Sequence, residues 1–274
     1  MNSSPAVPPD PVLAAFGAAG APVVLPGGKD GTWRVGDLVV KPVEHLAETL
    51  WRAEVLTALP DSAQFRIARP VQAADGAWTA RNWEACQLVA GRPDLSRPDD
   101  ALRAGIAFHK AIADLPRPEF LDLRADPWSI GDRVAWEELP VDGCPAAMSL
   151  LRPLTGARRP VDLMPQVVHG DLIGNVLFAE GLPPAVIDWA PYWRPASWAS
   201  AVAVVDALCW FGASTELAVR WSHLPAWGQM LIRALIYRIA TDEALLGPGG
   251  WTLDRVAVYR PVVDLAIAYA DLDH

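Results

Sequence analysis

The feature that most constrains the fold of this chain is a polar turn at residues 169–175, which lies between two short apolar runs. Residues 167–168 and 176–178 are predicted to be strands, and residues 185–187 are predicted to be a third. We expect these strands to form a rigid hairpin-like support that holds three polar side chains at one end, Asp171, Asn175 and Asp188. Two carboxylates and an amide are groups that can bind magnesium and orient a hydroxyl for phosphoryl transfer.

The order of these residues resembles a known family. A His-Gly-Asp motif ends at Asp171, Asn175 follows, and an Ile-Asp-Trp motif is centred on Asp188. This pattern resembles the aminoglycoside phosphotransferase and choline kinase-like family, small-molecule kinases with a protein kinase-like fold. The resemblance implies that Asp171 is the catalytic base, that Asn175 binds metal, and that Asp188 chelates the magnesium ion that bridges the phosphates. It also implies that His169 is structural, with its imidazole bonded to backbone near the metal-binding aspartate.

The sequence departs from the family pattern at two positions. Asn175 follows Asp171 by four residues, one fewer than the family usually has, and Ala190 occupies a position that is commonly acidic. Gly174 is suited to supply a left-handed conformation in the shorter loop. Each motif by itself is also typical of an ordinary turn. A kinase and a pseudokinase, which keeps the fold without efficient transfer, are therefore both compatible with the sequence.

A glycine-rich turn near the amino terminus contains Gly27, Gly28 and Gly31, and an apolar run ending at Lys41 follows it. Glycine allows backbone amides to approach a phosphate closely, and a lysine at the end of a strand can reach the phosphate as a point charge. Lys41 resembles the phosphate-contacting strand lysine of kinases. The same glycine pattern is also common in simple β-hairpins.

A helix is predicted at residues 44–59, where apolar residues recur on one face before Pro60. In the family that the chain resembles, a glutamate on this helix fixes the strand lysine. We assign that role to Glu54, with Glu48 as the alternative. The ordinary reading of both side chains is that they are solvated surface charges.

Further strands are predicted up to residue 89, and a polar Gly/Pro linker follows at residues 90–93. We place the boundary between two lobes there. In kinase-like folds the backbone at such a junction recognises adenine, which implies nucleotide contacts near Gln87 and Val89.

The remainder is predicted to be mostly helical, with helices at residues 99–114, 127–139, 144–151, 198–211, 224–246 and 253–272. The apolar stretch at residues 196–215 carries Asp206 near its middle, so a buried core helix is predicted rather than a membrane span. In the family an aspartate on this helix braces the catalytic loop through backbone hydrogen bonds, and Asp206 would fill that role. Three tryptophans after Asp188 either line an acceptor pocket or pack the core, namely Trp189, Trp193 and Trp198.

Composition agrees with a folded protein. With 274 residues, 52% of them hydrophobic, the chain can form two lobes with a substantial core. The fold that the resemblance implies is α+β, a two-lobed protein kinase-like fold. The smaller lobe, residues 1–90, would hold an antiparallel sheet and one main helix, and the larger lobe, residues 91–274, would be mostly helical. The net charge of -9 argues against nucleic acid as a partner. Three scattered cysteines and no secretion signal predict reduced thiols and a cytoplasmic location.

These observations give one functional expectation. The resemblance implies magnesium-dependent transfer of the γ-phosphate of ATP, or of GTP, to a hydroxyl of a small molecule. No membrane partner is expected.

Overall fold

The structure is a computed structural model that describes residues 6–26 and 31–272. The chain divides into two compact units, Met1–Arg92 with Leu177–Ile187, and Pro93–Val176 with Asp188–His274. We call these unit 1 and unit 2. The predicted phosphate-binding residues Gly27 and Gly28 lie outside the described residues.

The strands of the described residues are short. In chain order they are β1 (Val23–Val24), β2 (Trp33–Val35), β3 (Leu38–Pro42), β4 (Arg66–Ile67), β5 (Thr79–Ala80), β6 (Trp83–Gln87), β7 (Arg92–Pro93), β8 (Gln166–His169), β9 (Val176–Phe178), β10 (Ala185–Val186) and β11 (Pro191–Arg194).

The helices supply most of unit 2. In chain order they are α1 (Asp10–Ala15), α2 (Leu46–Ala58), α3 (Pro98–Ala111), α4 (Pro127–Ala135), α5 (Pro145–Ala157), α6 (Ala196–Trp210), α7 (Glu216–Arg220), α8 (Trp227–Leu246) and α9 (Leu253–Ala270).

Unit 1 is built on a five-stranded antiparallel sheet with strand order β1-β2-β3-β6-β5. Gly36, between β2 and β3, has a φ of 60°, and a Cβ there would lie 2.5 Å from the carbonyl oxygen of Ala19. Glycine is therefore required in this turn on both backbone and steric grounds. One side of the sheet buries a core that includes Val12 of α1, a helix that was not predicted, and Phe16, which follows that helix. The members of this core are Val12, Phe16, Val35, Val40, Ala73, Trp83 and Ala85.

The predicted hairpin-like support of the polar turn is wrong in its pairing. Strand β8 pairs antiparallel with β11, with His169 opposite Pro191 and Val168 opposite Tyr192. Strands β9 and β10 belong instead to a four-stranded sheet with the order β4-β10-β9-β7. The polar turn therefore does not connect two paired strands. The reason is that β8 is buried and needs an apolar neighbour, which the buried start of β11 provides.

The helical prediction for unit 2 is confirmed, with shifted ends. Helix α5 continues through Pro153 because Leu150, Leu151 and Leu154 are fully buried, and their packing offsets the hydrogen bond that proline cannot make. The short helix α7 was not predicted. Helix α6 is buried from Ser197 to Ala207, as the core-helix prediction required. In the part of the chain that the structure describes, every helix is too short or too polar to cross a bilayer.

Candidate active site

The polar turn is anchored to the segment that carries Asp188. The Gly170 amide donates to the carbonyl oxygen of Ala190 over 2.9 Å, and the Trp189 indole donates to the carbonyl oxygen of Val168 over 3.2 Å. Phe108 packs edge-on against Trp189, with ring centroids 5.2 Å apart. These contacts fix the backbone that follows Asp188 relative to β8.

His169 connects the two halves of this arrangement through its imidazole. Its Nδ1 accepts hydrogen bonds from the backbone amides of Asp171 and Ala190, over 3.2 and 3.5 Å. Its own amide donates to Nε2 of His109 over 2.9 Å. Both imidazoles are buried, and their role here is to satisfy and orient backbone groups.

Burial, together with the neighbouring His169, lowers the pKa of His109 to about 3 from an ordinary 6.5. As pH falls below 6.5, the unfolded chain takes up this proton first and the free energy of unfolding decreases. We expect this residue to contribute a slope of about 1.4 kcal/mol per pH unit between about pH 6 and about pH 4. A His109→Gln variant, whose side-chain oxygen can still accept from His169, should lose that slope. Urea unfolding across this range measures the difference, and parallel curves for the two proteins would contradict the assignment.

Gly170 is needed for the close approach of the turn to β11. A Cβ at this position would lie 2.4 Å from Cδ2 of Tyr192, whose ring is held by a 3.0 Å hydrogen bond to the hydroxyl of Tyr237. We therefore expect Gly170→Ala to lower the free energy of unfolding by about 1–3 kcal/mol, as overpacking does in buried sites. Gly156→Ala is the matched control, since nothing lies within 4 Å of a Cβ there. Helix propensity should make that control neutral or more stable by about 1 kcal/mol in urea unfolding. Equal stability of the two variants would show that the Tyr192 ring moves aside at no cost, and it would contradict this prediction.

Within the turn, Asp171 and Asn175 are joined directly by hydrogen bonds. The Asn175 Nδ2 donates to the backbone oxygen of Asp171 over 2.7 Å and to its Oδ2 over 3.0 Å. Gly174 has a φ of 88°, which confirms the expected left-handed conformation in the short loop. Among the described residues the amide oxygen of Asn175 has no hydrogen-bond partner. The side chain is thus fixed through its nitrogen with its oxygen available.

The second oxygen of Asp171 is bound by a residue that the sequence did not identify. Arg238 Nη2 donates to Oδ1 of Asp171 over 2.7 Å, and Arg238 Nε donates to Oδ1 of Asp206 over 2.8 Å. Within the residues that the structure describes, Asp206 does not brace the backbone of the turn, although that role was predicted for it. In the described chain its carboxylate contacts Arg238 and makes no hydrogen bond to the backbone of the turn. The reason is that the long arginine side chain fills the space between α6 and the turn.

Asp188 is exposed and has a φ of 48°, a left-handed conformation that aspartate and asparagine tolerate better than most residues. No cluster of three or more His, Cys, Asp or Glu side chains suited to a metal occurs in the described residues. A metal held by Asn175 and Asp188 would accordingly complete its coordination with phosphate oxygens and water, as magnesium commonly does. The donor set fits that ion, since both residues offer oxygen.

In unit 1 the structure pairs Lys41 with an acid other than the predicted one. Lys41 Nζ lies 3.7 Å from Oε1 of Glu84, its direct partner across the antiparallel pair β3 and β6. Glu54 is exposed and, within residues 6–26 and 31–272, forms no ion pair. Glu48 is largely buried and lies 3.6 Å from Arg52, which also binds Glu84 over 2.9 Å. The structure therefore does not bring Glu54 to Lys41, because the α2 face that carries Glu54 points to solvent.

The junction predicted to recognise adenine has few free backbone groups. The Gln87 amide donates to the carbonyl oxygen of Arg69 and the Leu88 amide to that of Asp37, each over 2.8 Å. The Val89 amide has no partner in the described chain. Gly31, the described member of the glycine-rich turn, has a φ of 113°.

Unit 2 contains a cleft of about 360 Å³ whose wall includes Tyr192 and Trp193 of β11. Its lining carries both signs of charge, with Arg117, Arg124, Arg133 and Arg194 beside Asp122, Asp132 and Glu138. Trp189 and Trp198, by contrast, are buried in the core. Of the three tryptophans considered for an acceptor pocket, Trp193 lines this cleft.

The chain is similar to solved structures of aminoglycoside phosphotransferases and of choline kinase family proteins. The spectinomycin phosphotransferase APH(9)-Ia in complex with ADP and spectinomycin matches with a TM-score of 0.57 and 14% identity, covering 94% of this chain and 96% of that one. A choline/ethanolamine kinase family protein from Mesorhizobium loti matches with a TM-score of 0.57 and 16% identity, covering 93% and 88%. The GDP complex of aminoglycoside 2'-phosphotransferase-IIIa matches with a TM-score of 0.56 and 14% identity, covering 94% and 96%.

At these identities the likeness establishes the fold. The predicted α+β, protein kinase-like fold is confirmed, and the resemblance to aminoglycoside phosphotransferases and choline kinases holds at the level of structure. No protein-family model and no curated protein matches the chain.

Proposed function

We propose that this protein is a kinase that transfers the γ-phosphate of magnesium-bound ATP to a hydroxyl of a small molecule. The observation that carries the proposal is the state of Asp171 and Asn175. The Asp171 carboxylate is about half exposed, at 46%, and both its oxygens are held by other side chains. The amide nitrogen of Asn175 is engaged while its oxygen has no partner in the described chain. This is the arrangement that an oriented base and a metal ligand require.

Asp171 would act on the acceptor. The acceptor hydroxyl donates a hydrogen bond to this carboxylate and then its proton, while its oxygen forms a bond to the γ-phosphorus. The bond from that phosphorus to the β–γ bridging oxygen breaks, and the bridging oxygen leaves with the electron pair as part of ADP. Because little covalent chemistry is required of the protein, positioning of the hydroxyl is the main contribution of Asp171.

Asn175 and Asp188 would hold the magnesium ion. When bound, that ion neutralises charge on the nucleotide phosphates. Lys41 and the backbone near Gly31 would contact the phosphates, with Glu84 orienting the lysine. For the base of the nucleotide, ATP or GTP, we assign the Val89 amide as the donor, since the amides of Gln87 and Leu88 are already used. A kinase of this type acts where its nucleotide is found, which supports a cytoplasmic location.

A pseudokinase is the second candidate, favoured by the four-residue spacing from Asp171 to Asn175. Turnover of ATP with an acceptor distinguishes the kinase from the pseudokinase. We would measure ADP release with magnesium and ATP or GTP over a panel of hydroxylated compounds, including aminoglycosides and choline. Because the unit 2 cleft carries both signs of charge, the panel should also contain anionic and zwitterionic compounds.

The expected result is acceptor-dependent ADP release that falls by about 10²- to 10⁴-fold in Asp171→Asn. Binding of Mg·ATP without turnover above that variant on any acceptor would support the pseudokinase instead. Absence of nucleotide binding would contradict both candidates.

A further inference from the structure

Arg238 occupies an unusual position for a charged residue. It lies on α8 with its side chain 6% exposed, and its partner Asp206 on α6 is 3% exposed. Its guanidinium stacks 4.8 Å from the ring centroid of Tyr237 and 5.6 Å from that of Trp210. A charge so deeply buried persists only when it is paired and hydrogen-bonded.

The geometry of the guanidinium fixes which way its hydrogens point. Nε and Nη2 together bind the two oxygens of Asp206, in the side-by-side arrangement typical of arginine and carboxylate. Nη2 has a second hydrogen, and it reaches Oδ1 of Asp171 over 2.7 Å. Nη1 donates to the Tyr237 hydroxyl over 3.3 Å. The orientation set by Asp206 therefore determines where Arg238 offers its donor to Asp171.

Asp206 and Arg238 keep their opposite charges at neutral pH, so the ion pair between them is maintained. Burial raises the pKa of Asp206 to about 6, although the Arg238 guanidinium opposes that rise. The pKa of Arg238 is raised well above its ordinary value by the nearby carboxylates, against the effect of burial. One guanidinium is then shared by two carboxylates, and Asp171 is the more exposed of the two.

We propose that Arg238 is a positioning residue that holds the Asp171 carboxylate in its reactive orientation, with Asp206 as its buried anchor. With Oδ1 bound by Arg238 and Oδ2 by Asn175, rotation of the carboxylate is blocked at both oxygens. The carboxylate stays 46% exposed in this orientation, so an acceptor hydroxyl can reach it. This inference rests on the proposed function, since it concerns the orientation of the proposed base.

Two substitutions test this arrangement, one at Arg238 and one at its anchor Asp206. Arg238→Lys keeps the charge but loses the planar fork, so it cannot bind both carboxylates in the same geometry. Asp206→Asn keeps the size of the anchor but loses its charge. The control is Arg220→Lys, which alters an exposed arginine paired with Asp99 on the same unit. Circular dichroism and the thermal shift with Mg·ATP establish that each variant is folded and binds nucleotide.

We expect kcat for transfer to the best acceptor of the panel, or to water where ATP hydrolysis is the probe, to fall by about 10- to 100-fold in both variants. The KM for Mg·ATP should stay unchanged, and Arg220→Lys should match wild type. In an Asp171→Asn background, Arg238→Lys should cause no further loss, because the group it positions is gone. A general structural role predicts instead that the same factor is lost in both backgrounds.

The inference is overturned if wild type turns over and both variants keep its kcat, or if the losses multiply in the double variant. In that case the proposed function still stands. If wild type neither binds Mg·ATP nor hydrolyses it, the proposed function fails and this inference fails with it.

Discussion

Replacement of Asp171 by alanine is expected to lower transfer by about 10²- to 10⁴-fold while leaving the affinity for Mg·ATP unchanged, the usual effect of losing a positioned general base. Its carboxylate contacts Arg238 and Asn175, and Asn175 keeps its hydrogen bond to the backbone oxygen of residue 171 when the carboxylate is removed. Arg238 also retains Asp206 as a partner when Asp171 is removed, so no buried charge is left unpaired.

The control for this prediction is Asp100→Ala on α3. Asp100 has a side-chain exposure of 38%, close to the 46% of Asp171, and it pairs with surface arginines. Such exposed pairs contribute little to stability, about 0–1 kcal/mol, so the control should behave as wild type. Initial rates of ADP release and calorimetric titration of Mg·ATP measure the two quantities separately. An equal loss of rate and nucleotide affinity in Asp171→Ala would make the residue structural.

Substitution of Asp188 should remove most of the stabilisation by magnesium and ATP. For wild type that gain is expected to be about 2.7 kcal/mol when the nucleotide is at a hundredfold excess over Kd. The design uses Asp188→Asn beside Asp188→Ala, because the φ of 48° at this position is tolerated by asparagine and is strained in alanine. If both variants lose the stabilisation by Mg·ATP, the cause is the missing carboxylate and not a strained backbone.

Thermal unfolding with and without Mg·ATP gives this result directly. ATP without magnesium is the second comparison, and it should stabilise wild type and both variants alike. If Asp188→Asn gains as much stability from Mg·ATP as wild type does, Asp188 is not a metal ligand.

The parts of this site that the sequence predicts are those set by local chemistry. Gly174 was expected to adopt a left-handed conformation because the loop is short, and its φ of 88° confirms this. Helix α6 was expected to be a buried core helix because the charged Asp206 near its middle argues against a membrane span, and a charge buried in this way needs a partner. The partner itself was not recognised. Arg238 carried the same signal, as one of two arginines with Arg233 in the apolar run of α8, but pairing Arg238 with Asp206 required the packing of helices α6 and α8.

The contacts that the sequence did not predict depend on how strands that are distant in the chain pair with one another. Lys41 meets Glu84 because β3 and β6 pair with these two residues directly opposite, a register that no local pattern encodes. The pairing of β8 with β11 rather than β9 is a second case, since apolar runs specify burial but not the identity of the neighbouring strand. Glu54 was chosen over its alternative on position along α2, and the structure leaves it in solvent.

The central claim is that Asn175 and Asp188 bind magnesium beside an oriented Asp171. A crystal structure with magnesium and a non-hydrolysable ATP analogue tests this most directly. It should place the side-chain oxygen of Asn175 about 2.0–2.1 Å from a metal ion that Asp188 also binds, with Asn175 Nδ2 still donating to Asp171. A bound nucleotide whose metal contacts neither Asn175 nor Asp188 would contradict the account.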